Sequence, residues 1–216
     1  MNNLQETRVA RLSGLDGSIG NLEFEQVAGG PYGQMAARII VELELPVFLP
    51  MGKSVPYSMN ELSRVMELEG NQTVIVWGKK PGEARRLVAY NTGTPYRSYP
   101  EDLLLKVENV TPIDGSPPLP IPDETTWMHD TIAVMPSEQR RGIGKALINL
   151  MVPYAREKGC TTWAVFLSLH ESSKSKEMYD NHPIFKNIQE ADGMVEGIVP
   201  HRGTTVTYRL YDLGKR

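Results

Sequence analysis

The stretch Gln139-Arg140-Arg141-Gly142-Ile143-Gly144-Lys145 places two glycines and three cations at the mouth of an amphipathic segment. Glycine lacks a Cβ, so the main chain at 142 and 144 can approach a ligand closely. The first amides of a helix have no partner within it and lie at the positive end of its dipole. Such a turn suits an anion, most often a phosphate. Two nucleotide turns fail on spacing. A P-loop needs glycine, four residues and then Gly-Lys-Ser/Thr, whereas Gln139 stands at its first position and Ala146 offers magnesium no hydroxyl. A dinucleotide fingerprint needs a third glycine where Leu147 stands.

The turn needs a strand before it and a helix after it. TTWMHDTIAV, ending at Val134, reads as the strand. In IGKALINLMVPYAREKG, Ile143, Leu147, Leu150, Met151 and Tyr154 line one helical face and Gly159 closes it. Pro153 inside this helix removes the bond to residue 149, which predicts a bend over Asn149–Pro153. TTWAVFLSL is apolar nearly throughout and reads as a buried strand. SSKSKEMYDNH gives a short helix capped by Ser172 or Ser173 and ended by Pro183, and TTVTYRLYDL a last strand.

Earlier in the chain, NLEFEQV alternates as a strand, with Leu22, Phe24 and Gln26 on one side. YGQMAARIIVELEL carries Met35, Ile39, Ile40 and Leu43 at helical spacing, stopped by Pro46. SMNELSRVMELEGN reads as a helix with Ser58 as cap, and Thr73–Trp77 and Leu87–Tyr90 as two strands about Pro81-Gly82. LLLKVENV suggests a further strand, while PIDGSPPLPIPDE must be irregular. The order predicts an α/β fold: a mixed, mostly antiparallel twisted sheet flanked by helices, with a βαβ crossover in the C-terminal half.

Residues 1–20 read as an arm and 21–216 as one domain, with 21–123 carrying acceptor-site elements and 124–216 the anion site. A net charge of −3 over 216 residues argues against a nucleic-acid or anionic-membrane partner. RIIVELELPVFLPM is interrupted by Glu42, Glu44 and Pro46 and cannot span a bilayer, and no signal peptide is visible, so a cytoplasmic protein is expected. The single cysteine, Cys160, reads as a core residue, and dispersed histidines predict no metal site.

A strand ending in Val-x-Pro, followed by Gln-x-x-Gly-x-Gly and a capped amphipathic helix, resembles the GNAT acyltransferase superfamily over about residues 125–185. The resemblance implies acetyl-CoA as acyl donor and a primary amine, on a small molecule or peptide, as acceptor. It implies that Gln139, Arg140, Arg141, Gly142, Ile143, Gly144 and Lys145 surround the diphosphate. Backbone groups of Ile132, Ala133 and Val134 should then pair with the pantetheine arm, one amide facing the thioester oxygen. The family's Asn-x-x-Ala-x-x-x-Tyr pattern maps Tyr179 onto the acid that protonates the thiolate, with Ser172 and Ser175 replacing asparagine and alanine; Ser172 joins the cofactor contacts. Members with a base on the strand before the turn point to Asp130 or Met128, and Asp130 acts directly or through water. The expected reaction is direct attack in a ternary complex; the alternative is a module that binds acyl-CoA without turnover. A homodimer is the default assembly.

Overall fold

The computed structural model describes residues 22–27, 32–51, 57–78, 82–100, 112–169, 174–201 and 204–215. The expected arm (1–20), the LLLKVENV strand and Ser172 lie outside them.

In chain order the elements are β1 (Leu22–Val27), α1 (Tyr32–Ile39), a π turn (Ile40–Glu44), α2 (Leu45–Phe48), α3 (Met59–Glu67), β2 (Gln72–Gly78) and β3 (Arg86–Pro95). Then follow β4 (Thr126–Val134), α4 (Ile143–Glu157), β5 (Thr162–Ser168), α5 (Ser175–Asp180), α6 (Pro183–Glu190), β6 (Met194–His201) and β7 (Thr204–Asp212). The strands form one seven-stranded mixed sheet in the order β1-β2-β3-β4-β5-β7-β6. β4 and β5 pair in parallel, Thr126↔Thr162 to His129↔Val165, as a βαβ crossover through α4 requires. β1–β2, β5–β7 and β6–β7 are antiparallel. The expected fold class holds.

By compactness the chain divides into Met1–Thr92 with Thr131–Met151, and Gly93–Asp130 with Val152–Arg216. The divisions fall inside β3, β4 and α4.

The first unit has a cluster of Phe24, Val74, Val76, Val88, Ala89, Ile143, Ala146 and Leu147, with Leu22, Ile132, Val134 and Leu150 packed against it. The apolar stripe of α4 is therefore what turns its amphipathic pattern into a docked helix. Ser58 caps α3 as expected, and the cap is reciprocal: Ser58 Oγ accepts from Glu61 N, and the Glu61 carboxylate accepts from Ser58 N at 2.8 Å. α1 does not continue as a simple helix. Leu45 N–H bonds to Ile40 O, five residues back, and the widened turn ends at the buried Glu44.

The second unit centres on aromatic side chains. Trp127, Trp163, Tyr179, Phe185 and Tyr211 are fully buried and meet ring to ring: Phe185–Tyr211 at 4.6 Å, Tyr179–Phe185 at 4.8 Å and Trp163–Phe185 at 5.6 Å between centroids. Buried Arg209 is held by Glu196, by Asp180 at 2.8 Å and by the Tyr211 hydroxyl at 2.9 Å. α4 ends with Gly159 at φ 77° and Cys160 N–H bonding back to Ala155 O, a glycine-terminated cap. The Pro-rich segment is irregular from Pro112 to Asp123, as expected, and it is tied to β6 and β7: Ile113 N–H donates to Ile198 O of β6, and the Tyr208 hydroxyl of β7 donates to Pro120 O.

Four readings need correction. The residue preceding α5 is Lys174, with no side-chain cap, in place of Ser172 or Ser173. Pro183 does more than end a helix, because it opens α6 at a position where its missing N–H costs nothing. β6 was not foreseen; it contains Gly197 and Pro200, and a strand at the end of the sheet tolerates proline. β3 runs on through Asn91-Thr92-Gly93-Thr94, where polar side chains satisfy one another, as in the 2.8 Å Thr73–Thr92 hydroxyl pair. α4 itself is helical on both sides of Pro153.

Candidate functional site

The glycine turn lies in the first unit, and its geometry comes from the chain on either side. β4 ends at Val134, and Met135 N–H is fixed to Val88 O at 2.9 Å. A single 3-10 turn, Pro136–Glu138, swings the chain round. Arg140 then adopts φ 63° and Gly142 φ 77°, both left-handed. For arginine this costs about 1–2 kcal/mol, a strain retained only where the surrounding structure imposes it. Gln139 before them is extended, and left-handed residues just ahead of a helix can turn successive N–H groups towards an anion. The first bond of α4 runs from Ala146 N–H to Gly142 O, so the amides of Ile143, Gly144 and Lys145 precede the helical ladder. A Cβ built on Gly142 meets nothing within 4 Å. The cradle is open where a side chain would fill it.

The side chains of the turn divide between two tasks. Gln139 Nε2 donates to Val134 O at 3.1 Å, tying the turn to the end of β4. Arg141 pairs with Glu138, which also takes Arg86 from β3; Glu138 is buried between the two guanidinium groups. Arg141 is thus turned to a carboxylate, whereas Arg140 and Lys145 are exposed. Glu138 was missed in the sequence because nothing in its spacing marks an acid that braces a turn. Of the backbone groups on β4 expected to receive the pantetheine arm, Ile132 and Val134 are half-buried and Ala133 is buried, and Val134 O is already engaged by Gln139. The β4–β5 ladder ends at His129↔Val165, although β4 continues to Val134 and β5 to Ser168.

The same unit holds a buried acid. Glu44 is wholly buried, and its Oε1 accepts from the hydroxyl of Tyr90, itself fully buried on β3. Oε2 has no hydrogen-bond partner among the described residues. Burial pushes the Glu44 carboxyl up to about 7, against the opposing pull of the Tyr90 hydroxyl. Tyr90 is raised well above 10 by burial and by the Glu44 charge, and the Thr131 hydroxyl acts the other way. A signal existed in the sequence, since Glu44 sits four residues after Ile40 in an otherwise apolar stripe.

In the second unit, Asp130 is half-buried and accepts from the Tyr99 hydroxyl and, at 3.4 Å, from Thr94 Oγ1. Tyr179 is fully buried, and its hydroxyl meets His129 Nδ1. Burial holds His129 down to about 3, so its ring is neutral, and it raises Tyr179 well above 10. Ser172 lies outside the described residues. Cys160 is buried and its thiol is raised by burial, which does not suit a nucleophile. Among the described residues there is no cluster of three metal-ligating side chains, and no helix is long and apolar enough to cross a membrane.

The model of the acetyltransferase (GNAT) family matches residues 59–180, more than half of the chain and inclusive of the glycine turn. The chain belongs to the GNAT acetyltransferase family. Solved structures agree on the fold. The ribosomal-protein-S18-alanine N-acetyltransferase from Escherichia coli aligns over 88% of this chain and 94% of its own, at 13% identity and TM-score 0.50. The yncA protein from Salmonella typhimurium, solved with its cofactor acetyl-CoA, aligns over 91% and 96%, at 13% identity and TM-score 0.52. A comparison with curated proteins finds no match. Family membership is what the comparison establishes; the chain's activity and acceptor rest on its own residues.

Proposed function

We propose that this GNAT protein transfers an acetyl group from acetyl-CoA to a primary amine by direct attack of the amine on the thioester. The observation that carries the reading is the turn at 140–145, with two left-handed residues, amides ahead of the helical ladder and no obstruction over Gly142. Those amides, with exposed Arg140 and Lys145, suit a diphosphate. Gln139 and Arg141 support the turn from behind, through Val134 O and Glu138. The backbone of Ile132–Val134 would take the pantetheine arm, with an amide there stabilising the oxyanion. Acetyl-CoA supplies the activated acyl group.

Asp130 is proposed to accept a proton from the amine, directly or through water, from a position fixed by Tyr99 and Thr94. Tyr179 is proposed as the donor to the thiolate, since a phenol raised well above 10 keeps its proton at neutral pH. Its enclosure with His129 favours a second reading, in which the chain binds acetyl-CoA without turnover.

Calorimetry with acetyl-CoA and thiol release in the presence of primary amines test both readings. The wild type should bind, and Gly142→Ala should weaken binding about tenfold or more, because alanine is strained at the φ of 77° that shapes the turn. Binding without thiol release on any amine, and no change on Tyr179→Phe, would select the second reading. Absence of binding would refute both. We also propose a single GNAT domain over 21–216, acting as a cytoplasmic enzyme.

A further inference from the structure

The π turn delivers a carboxyl group into the first unit and leaves half of it unused. Ile40, Leu43 and Glu44 are all buried, so the widened turn carries an acid to the apolar side of the helix. One oxygen accepts from Tyr90; among the described residues the other has no partner, and no lysine or arginine there shifts the carboxyl. A buried polar atom left unpaired is costly, and more so if charged. An acid kept in such a place for packing alone would be better replaced by glutamine or leucine. The surroundings point to a ligand that brings its own positive charge and hydrogen-bond donors. A primary ammonium group has both.

The location fits the same ligand. Glu44 bonds Tyr90 on β3, the Thr131 hydroxyl of β4 acts on Tyr90, and the next residue along β4 is Ile132. Tyr90 therefore joins the acid to the neighbourhood of Thr131, whose Oγ1 makes no hydrogen bond among the described residues and which adjoins the stretch of backbone proposed to hold the thioester. We propose that Glu44 Oε2 is the subsite for the acceptor's ammonium group and takes its proton. The inference rests on the acetyl-transfer reading above, and it makes Glu44 the first proton acceptor, in place of Asp130. The step balances. R–NH3+ gives one proton to the Glu44 carboxylate and becomes R–NH2, whose nitrogen forms a C–N bond to the acetyl carbon. The C–S bond breaks, the departing thiolate takes the Tyr179 proton, the second amine proton restores the phenol, and Glu44 later releases its proton to solvent.

Among the described residues, the groups that act on this carboxyl are Tyr90 from β3 directly, and Tyr57 and Thr131 through Tyr90. None is cationic. Because Glu44 is closed to solvent, the amine enters only when the chain over Oε2 yields, and the carboxylate is kept from water and salt until then.

Two measurements test the proposal. Isotope-edited infrared difference spectra, wild type minus Glu44→Gln, isolate the Glu44 carboxyl band. Methylammonium should convert the protonated band to carboxylate at fixed pH in the wild type, while tetramethylammonium, which cannot donate, should not. An unchanged band with methylammonium, or equal responses to both ions, overturns the proposal. For any amine acetylated by the wild type, Glu44→Gln should lower kcat/KM about 100-fold or more at neutral pH, the size of a general-base contribution. Glutamine still accepts from Tyr90, so the affinity for acetyl-CoA should stay within about twofold on that account. Retention of activity within about threefold overturns the proposal. Failure of acetyl-CoA to bind the wild type would sink the acetyl-transfer reading instead, and the infrared result would still stand or fall separately.

Discussion

Glu44 in the first unit and His129 in the second are both buried against a tyrosine hydroxyl, and the outcomes are opposite. In the first, Glu44 is raised to about 7 and keeps an oxygen without a partner among the described residues. In the second, His129 is lowered to about 3 and is packed against Trp163 and Tyr179 at 5.1 and 5.9 Å between ring centroids. Desolvation is the leading cause in both. It disfavours charge, and so pushes an acid up and a base down. The acid arrives near the working pH of a cell, while the base is driven far below it. Of the two, Glu44 can change its charge where an enzyme operates, whereas His129 is a neutral member of an aromatic core.

The largest expected effect is on acid stability. His129 is neutral when folded down to about pH 3 but titrates near 6.5 when unfolded. The stabilisation is complete above 6.5 and is lost as the pH falls towards 3, by about 4–5 kcal/mol at full protonation. Denaturant titrations from pH 7 to pH 3 should show a much shallower decline for His129→Asn than for the wild type. Equal slopes would remove His129 from the account.

Glu44 should act in the opposite sense. Its folded carboxyl titrates near 7 and its unfolded one near 4.5, so the folded state holds the proton more firmly. Stability relative to the unfolded chain is highest below 4.5 and declines by about 3 kcal/mol as the pH rises through 7. Glu44→Gln should abolish that decline, and a variant no more stable than wild type at pH 8 would count against a lone buried acid.

Tyr90→Phe sharpens the comparison on a smaller scale. The hydroxyl that partly offsets burial is removed, so the Glu44 carboxyl should titrate above 7, readable by infrared or carbon NMR. A downward movement would mean that the tyrosine does not stabilise the carboxylate. The smallest effect is a control in the first unit: Ser58→Ala removes one half of the α3 capping box and should cost about 1 kcal/mol, equally at all pH values from 5 to 8. A pH-dependent cost there would show that the titrations report more than the two buried groups.

Much of this was legible in the residues, for reasons that differ by element. α3 and α4 were readable because their apolar spacing, caps and terminal glycines agree with one another, and β4 and β5 because runs of β-branched and aromatic residues admit one backbone. The glycine turn was legible because only glycines leave space for a phosphate, and only a helix start supplies the amides. The roles of its charges were not. Arg140 and Arg141 are neighbours of one type, yet one is exposed and the other is turned to Glu138, because strand β3 brings Arg86 to the same acid. Gly93 looks like an ordinary break in a polar run, but a Cβ there would come within 2.9 Å of Met128 O and nearer still to the Trp127 ring, on a strand more than thirty residues away.

The amino-acid sequence by itself determined the α/β order, the position of the crossover helix and the shape of the anion turn. Those follow from local periodicity and from steric rules acting over a few residues. Tertiary structure alone decided which ionisable groups lost their water. Burial of Glu44 behind a π turn and of His129 among aromatic rings depends on residues brought together from distant segments, and desolvation is a property of that enclosure rather than of any one residue.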